Sequence, residues 1–440
     1  MTKYPRVLVI SAAAINDKSG TGVTLGNLFR GWPHENLAQV YFSPDPPDST
    51  ICPNSWRLDH NNVPMDRLLR RFVEGSLRLL RPDNPTQHMK APPGVGSRRT
   101  RRARLSAWMD LAAIRVPAGL WSWAKNFRPE IIVSSLGSIR QIKLTSDMAE
   151  KLGVPVVPFF HDDWPSTMYQ GDPVLRVPHS VLCAELARCL RLAPVGLANS
   201  DAMAQEFTGR FNLRFHAFMN AVEVGEYSPC AGLDDEVKFT YVGGLHLDRW
   251  RALDDLALAI GAACDMGLNA RLVVYSPEAD IPLIPNRMLE SHRVTIGGSV
   301  SGGAVSAVLR DASVLVHVES FDGAIRDYTR LSFSTKLPLY MSLGRPVLAY
   351  GPPDGASVRY VGDNGLGVVV TERTQESLLA AVIRLCSDTG LREQLGLAGW
   401  RIARERYAAD RMRDRFQRLL YSAVEQEQGD SARLGQPLKI

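Results

Sequence analysis

Short β-branched runs and longer amphipathic stretches alternate along almost the whole chain, and this alternation limits the folds open to it. The runs Val7–Ile10, Ile131–Ser134, Val154–Phe160 and Val195–Ala198 form one series. Phe239–Val242, Leu272–Tyr275, Val314–Val318, Pro346–Tyr350 and Gly367–Val370 form a second. Between them lie helical patterns such as Ala202–Phe211, Leu253–Cys264 and Gln375–Cys386. Such an order predicts parallel sheets covered by helices on both faces, an α/β architecture. Open sheets of this kind take ligands beyond the carboxyl ends of their strands.

The two series are separated near Met219–Glu236, where small, polar and proline residues precede a fresh strand. With 440 residues, the chain has room for two domains of ordinary size. The expected division is a first domain over 1–222, a second over 223–407, and a C-terminal helix in 408–440 returning to the first. The six cysteines, Cys52, Cys183, Cys189, Cys230, Cys264 and Cys386, form no C-x-x-C pair. Free thiols in a reducing cytosol are expected rather than a zinc site or a disulfide framework. Arg6–Ile10 reads as a first strand, not a signal peptide, and no apolar stretch reaches membrane-spanning length. A cytoplasmic protein is expected, peripheral to the inner face of the cell membrane if it meets a membrane at all.

One region breaks the alternation. Asp66–Arg81 has Leu69, Phe72, Val73, Leu77 and Leu80 at helical spacing, with Arg67, Arg70, Arg71, Arg78 and Arg81 around them. Arg98, Arg99, Arg101, Arg102 and Arg104 follow, then Trp108. A basic amphipathic segment from Arg67 to Arg104 suits an anionic membrane surface. A core-packed helix with a solvated basic face would give the same pattern. The overall charge of +5 is too mild to imply nucleic acid, and no recognition module accompanies it.

Four segments carry candidate chemistry. Ser19-Gly20-Thr21-Gly22-Val23-Thr24 follows the first strand and precedes an apparent helix at Leu25–Arg30, where free amides favour anions or hydroxyls. It lacks the G-x-G-x-x-G spacing of dinucleotide enzymes, which argues against a dehydrogenase; a plain tight turn is its structural alternative. The segment Phe160-His161-Asp162-Asp163-Trp164 ends a strand, so His161 can donate a hydrogen bond to a reacting group. Asp162 or Asp163 can accept from a hydroxyl. The alternative is a capping and turn cluster.

In the second series, Gly243-Gly244-Leu245-His246-Leu247-Asp248-Arg249 places two glycines and a guanidinium after a strand, a grip for a diphosphate unless Arg249 is simply a surface residue. The richest segment is Glu319-Ser320-Phe321-Asp322-Gly323 with Ser334-Thr335-Lys336-Leu337-Pro338 beyond it. Hydroxyls, amides and an ammonium at a helix start make an anion cradle, although Ser334 as a mere cap is the alternative. The P-loop spacing is absent.

Taken together, these segments resemble GT-B glycosyltransferases, specifically the group 4-like retaining enzymes of bacterial polysaccharide and glycolipid pathways. Asn199-Ser200-Asp201-Ala202-Met203 resembles the end of the family's first domain, and Asn220-Ala221-Val222-Glu223 its connector. Ser334 to Ala349 is similar to its donor-site helix and the strand after it. The resemblance implies two Rossmann-like domains facing each other across a cleft, an acceptor site in the first and a nucleotide-sugar site in the second. It places Gly244, Arg249, Ser334, Thr335, Lys336, Gly20 and Gly22 at the donor and Thr21 and Asp163 at the acceptor, with His161, Asp162 and Glu319 as catalytic candidates. It implies retention of configuration, with the leaving phosphate as base and no metal or other cofactor. The implied partners are a nucleotide-sugar donor and a sugar or glycolipid acceptor.

Two departures stand out. Many relatives have Gly-Arg-Leu where this chain has Gly243-Gly244-Leu245. Many also carry two glutamates eight residues apart, the second binding the ribose; the matching positions are Leu331 and Leu339. Glu319, Asp322 or Asp327 could compensate from the preceding loop; otherwise donor binding is altered or the chain is catalytically weak, and the alternative reading is a non-catalytic GT-B protein that binds a sugar nucleotide or a partner.

Overall fold

The computed structural model describes residues 4–59, 101–228 and 236–429. The amphipathic stretch Asp66–Arg81 therefore lies outside the described residues. The chain divides into two compact units. One runs to Phe218 and resumes at Arg413; the other is Met219–Met412.

The first unit is built on seven strands: β1 Val7–Ser11, β2 Leu37–Tyr41, β3 Ser55–Arg57, β4 Ile131–Ser135, β5 Val156–Phe160, β6 Gly196–Ala198 and β7 Phe215–Ala217. Their order is β3-β2-β1-β4-β5-β6-β7, and every pairing is parallel. Val7 pairs with Leu37 on one side and Ile131 on the other. The strand order thus reverses at β1, where an open sheet parts its loops. β1, β4 and β5 are buried on both faces, which explains their near-continuous apolar sequence. β2 was not anticipated from the sequence, because Gln39 interrupts it. Its amide is buried and satisfied, accepting from Ile15 N–H at 3.0 Å and donating to Ala13 O at 3.0 Å.

The helices start where polar caps stand. Ser138 accepts from Gln141 N–H ahead of Ile139–Leu152, and Ser200 accepts from Met203 N–H ahead of Asp201–Phe211. From Arg413 the last helix, Ala409–Gly429, packs in this unit. Phe416 is fully buried, with ring centroids 5.1 Å from Phe29 and 5.4 Å from Phe218.

The second unit has six parallel strands: β8 Val237–Val242, β9 Ala270–Tyr275, β10 Val294–Gly298, β11 Val314–Val318, β12 Val347–Tyr350 and β13 Gly367–Val370. Their order is β10-β9-β8-β11-β12-β13, with the reversal between β8 and β11. Its core gathers Phe239, Tyr241, Leu253, Leu272, Val316, Leu348 and Leu378 on one face of the sheet. Leu315, Leu337, Tyr340 and Val347 pack on the other. The connector is tied to the unit's end: Val222 N–H donates to Tyr407 O at 3.0 Å, and Ala409 N–H donates to Val222 O at 2.9 Å. Cys52, Cys183, Cys189, Cys264 and Cys386 are free thiols.

Candidate functional site

The carboxyl ends of β8 and β11, flanking the reversal in the second unit, bring four of the sequence's candidates into one cluster. β11 ends at Val318, and Glu319 follows with 8 % of its surface exposed. Arg249, the first residue of helix Arg249–Asp265, lies with Nη2 3.5 Å from Glu319 Oε2. Lys336, the first residue of helix Lys336–Ser342, is half-buried and holds Nζ 4.1 Å from the centre of the Tyr241 ring. A cation over an aromatic face is attracted by the ring's quadrupole, so Tyr241 fixes the ammonium without neutralising it.

The glycine pair makes the space. Gly243 has φ +146°, and a Cβ there would stand 2.6 Å from Lys336 Nζ. Any side chain would both strain the backbone and displace the ammonium. The loop is then pinned at two points: Leu245 N–H donates to Asp280 Oδ2 at 2.8 Å, and the Tyr241 hydroxyl donates to Gly244 O at 2.7 Å.

His317 was not singled out from the sequence. It sits two residues before Glu319 on β11, so both side chains leave the same face of the strand. Its Nε2 lies 3.3 Å from Glu319 Oε1, and it is 1 % exposed. Burial lowers its pKa, against the opposing pull of Glu319. For Glu319 itself burial acts upward, but Arg249, His317 and Lys336 outweigh it and hold the carboxyl down at about 2. Burial and the neighbouring Arg249 push Lys336 down to about 7, with Glu319 opposing. The cluster therefore holds one fixed cation, one titrating near neutrality, and one carboxylate that orients them.

Other candidates have simpler roles. Ser334 N–H donates to Ser357 Oγ at 2.9 Å, so that amide is spent inside the unit. Thr335 is the N-cap residue of Lys336–Ser342 but makes no side-chain cap bond; its carbonyl accepts from Asn220 Nδ2 at 3.1 Å. Asp322 caps the helix Gly323–Thr329, accepting from Ala324 N–H and Ile325 N–H, and Asp327 is exposed on it. Leu331 is buried and Leu339 half-buried at the edge of the apolar core.

In the first unit, His161 follows β5 and meets Ser135, at the end of β4, with Nε2 3.3 Å from Oγ. Its ring packs 4.3 Å from Phe159, and burial lowers its pKa to about 4, so it is neutral at physiological pH. Asp162 is half-buried beside it. Asp163 does not serve as an acceptor contact. It is 1 % exposed and bound by Arg210 through Nη1–Oδ1 at 2.6 Å and Nη2–Oδ2 at 3.1 Å.

The expected glycine loop is also corrected. Gly20, Thr21 and Gly22 form the first turn of helix Gly20–Phe29, capped by Ser19 accepting from Gly22 N–H at 3.0 Å. A Cβ on Gly22 would lie 2.5 Å from Ala14 O, so that glycine is needed for packing the turn after β1. Gly20 and Thr21 stay at the helix end, the first exposed and the second half-buried.

Among the described residues, no group of three His, Cys, Asp or Glu side chains is placed to hold a metal ion.

Comparison with known proteins adds to this geometry. Residues 236–388 match the family model described as glycosyl transferases group 1. No curated protein matches the sequence significantly. Among solved structures, HepE of Anabaena in complex with UDP superposes with a TM-score of 0.61 at 14% identity, covering 95% of this chain and 100% of that one. A sucrose-phosphate synthase from Thermosynechococcus elongatus gives 0.63 at 13%, covering 96% and 100%. A trehalose-6-phosphate enzyme from E. coli bound with UDP-2-fluoro glucose gives 0.56 at 11%, covering 96% and 99%. At these identities the likeness establishes the fold.

Proposed function

We propose, because residues 236–388 match the model of the group 1 glycosyl transferases and the chain takes the GT-B fold, that this glycosyltransferase binds the diphosphate of a nucleotide-sugar between Arg249 and Lys336. The sugar is passed to an acceptor hydroxyl with retention and without metal. The observation that carries this reading is the pairing of those two cations at the ends of β8 and β11, with Gly243 leaving room for the ammonium. HepE, whose fold this is, has been crystallised with UDP and with UDP-glucose.

As the bond from the anomeric carbon to the diphosphate breaks, negative charge grows on the leaving phosphate. Arg249 and Lys336, already fixed, stabilise it without reorganising. The acceptor oxygen bonds to the anomeric carbon, and its proton passes to the leaving phosphate. His161, neutral and aligned by Ser135, has the chemistry to donate a hydrogen bond to the transferred sugar, with Asp162 beside it and Gly20 and Thr21 at a helix end suited to polar groups. Glu319 orients Arg249. The acceptor hydroxyl belongs to a glycan, a glycolipid or a small molecule, and the enzyme works at the inner face of the cell membrane as a peripheral protein.

Nucleotide release, measured over a panel of nucleotide-sugars with and without acceptor mixtures, tests the activity. Release with one donor is expected. Nucleotide binding with no release from any donor would instead favour a non-catalytic binding protein, the reading suggested by apolar Leu331 and Leu339 where the resemblance implies carboxylates.

A further inference from the structure

We infer that a face of the first unit, formed by Leu105 and Trp108 together with Val174 and Val177, is the surface that docks on an anionic bilayer. This names the membrane-facing part of the chain and rests on the peripheral location proposed above.

Large apolar side chains are seldom left in water without cause when they gather. Leu105 is 53% exposed, Trp108 43%, Val174 46% and Val177 51%. Each pair is spaced i, i+3. The first pair shares one face of helix Arg101–Met109; the second spans the turn Pro173–Leu175 and the start of helix Arg176–Arg191. Arg104 joins the two stretches, with Nε 2.8 Å and Nη2 3.4 Å from the Asp172 carboxylate.

The frame behind this face is held by buried polar bonds. Ala107 is fully buried. Asp110 accepts from Ile139 N–H at 2.8 Å and from the Tyr169 hydroxyl at 2.9 Å, and Arg140 donates to Met109 O at 2.5 Å. The outward apolar residues therefore sit on an anchored support, not on a fraying end.

Charge selects the partner. From Arg101 to Met109 the sequence has three arginines and no acidic residue; from Pro173 to Ala184 it has Arg176 and no acidic residue. The neighbouring carboxylates, Asp110 and Asp172, are buried and already bonded. Tryptophan and aliphatic side chains in an arginine-bearing stretch fit the boundary between acyl chains and anionic headgroups. An acidic protein partner would share the charge but would not depend on lipid.

The test is vesicle sedimentation of the full-length protein. Wild type is compared with Leu105→Ser/Trp108→Ser, with Val174→Ser/Val177→Ser, and with Met266→Ser, an exposed apolar residue of the second unit. Vesicles are phosphatidylcholine alone or with a third phosphatidylglycerol. Each double variant is expected to lower partition onto the anionic vesicles by about tenfold or more. Met266→Ser should leave it unchanged, and neutral vesicles should bind weakly throughout. Unaltered thermal melts confirm that these exposed substitutions leave the fold intact. Anionic-vesicle binding that survives both double variants overturns this surface while sparing the peripheral location. Wild type that binds no vesicle overturns both.

Discussion

Each unit ends a central strand in a histidine followed closely by a carboxylate, yet the two ends are chemically opposite. In the first unit the carboxylate Asp163 is locked by Arg210, and His161 is left neutral. In the second, Glu319 is shared between His317 and Arg249 while Lys336 stands over Tyr241, so the end gathers two cationic side chains beside one shared carboxylate. The same strand-end motif thus supplies a latch with an uncharged hydrogen-bonding group in one unit and an anion-binding site in the other. What separates them is whether the arginine closes completely on its carboxylate, with two contacts, or rests at 3.5 Å with one.

The sharpest way to break this comparison is to remove each arginine. Arg210→Ala would leave Asp163 buried and without its cation, and should cost about 3 kcal/mol of stability, read as a lower midpoint in urea. Arg249→Ala should barely change that midpoint, because Glu319 keeps Lys336 and His317 nearby. Equal destabilisation by both would show that Arg249 is a structural latch as well.

Ligand binding should show the reverse order. Arg249→Ala and Lys336→Ala should each weaken nucleoside diphosphate binding by ~1.5–3 kcal/mol if the contacts are charge-assisted, measured by calorimetry, whereas Arg210→Ala should not. The pH dependence sharpens the point. Lys336 titrates at about 7, so its positive charge is present below that pH and lost above it. Affinity should therefore fall as pH rises from 6 to 8, and Lys336→Arg should flatten the fall. His161, held at about 4, is neutral across that range and should contribute no slope. Unchanged affinity in both Arg249→Ala and Lys336→Ala would remove the donor from this end of the unit.

Much of the architecture was legible because buried parallel strands are nearly pure apolar runs. Val314–Val318 and Gly367–Val370 coincide with β11 and β13. β10 was hidden by Gly297 and Gly298, and β7 by its short length and a histidine. The second unit's site was legible in type, since Gly243, Arg249, Glu319 and Lys336 all stand at strand or helix ends. Their pairing was not, because the Arg249–Glu319 contact joins residues remote in sequence. The first unit misled in two ways. A serine cap turned an apparent loop into the first turn of a helix, and the partner of Asp163 lies 47 residues away. His317 had a usable signal, a histidine at an inward position of an otherwise aliphatic strand, two residues before a carboxylate.

The smallest expected effect concerns Leu339, one of the two positions at which the resemblance implies a carboxylate. Leu339 lies half-buried on helix Lys336–Ser342, three residues after Lys336 and at the edge of the core. Where the resemblance implies a ribose-binding glutamate, an aliphatic side chain offers no acceptor. Leu339→Glu should place a carboxylate one helical turn from the ammonium, a spacing at which helical neighbours meet. If the diphosphate sits between Arg249 and Lys336, the new carboxylate can accept from a ribose hydroxyl, and affinity for a nucleoside diphosphate should rise by about 1 kcal/mol. Affinity for inorganic pyrophosphate, which has no ribose, should not rise. Because the substitution also trims apolar packing, the comparison of the two ligands on the same variant is the informative quantity. An equal change for both would mean that the carboxylate acts only on the local charge, and that this unit holds the ribose by other groups.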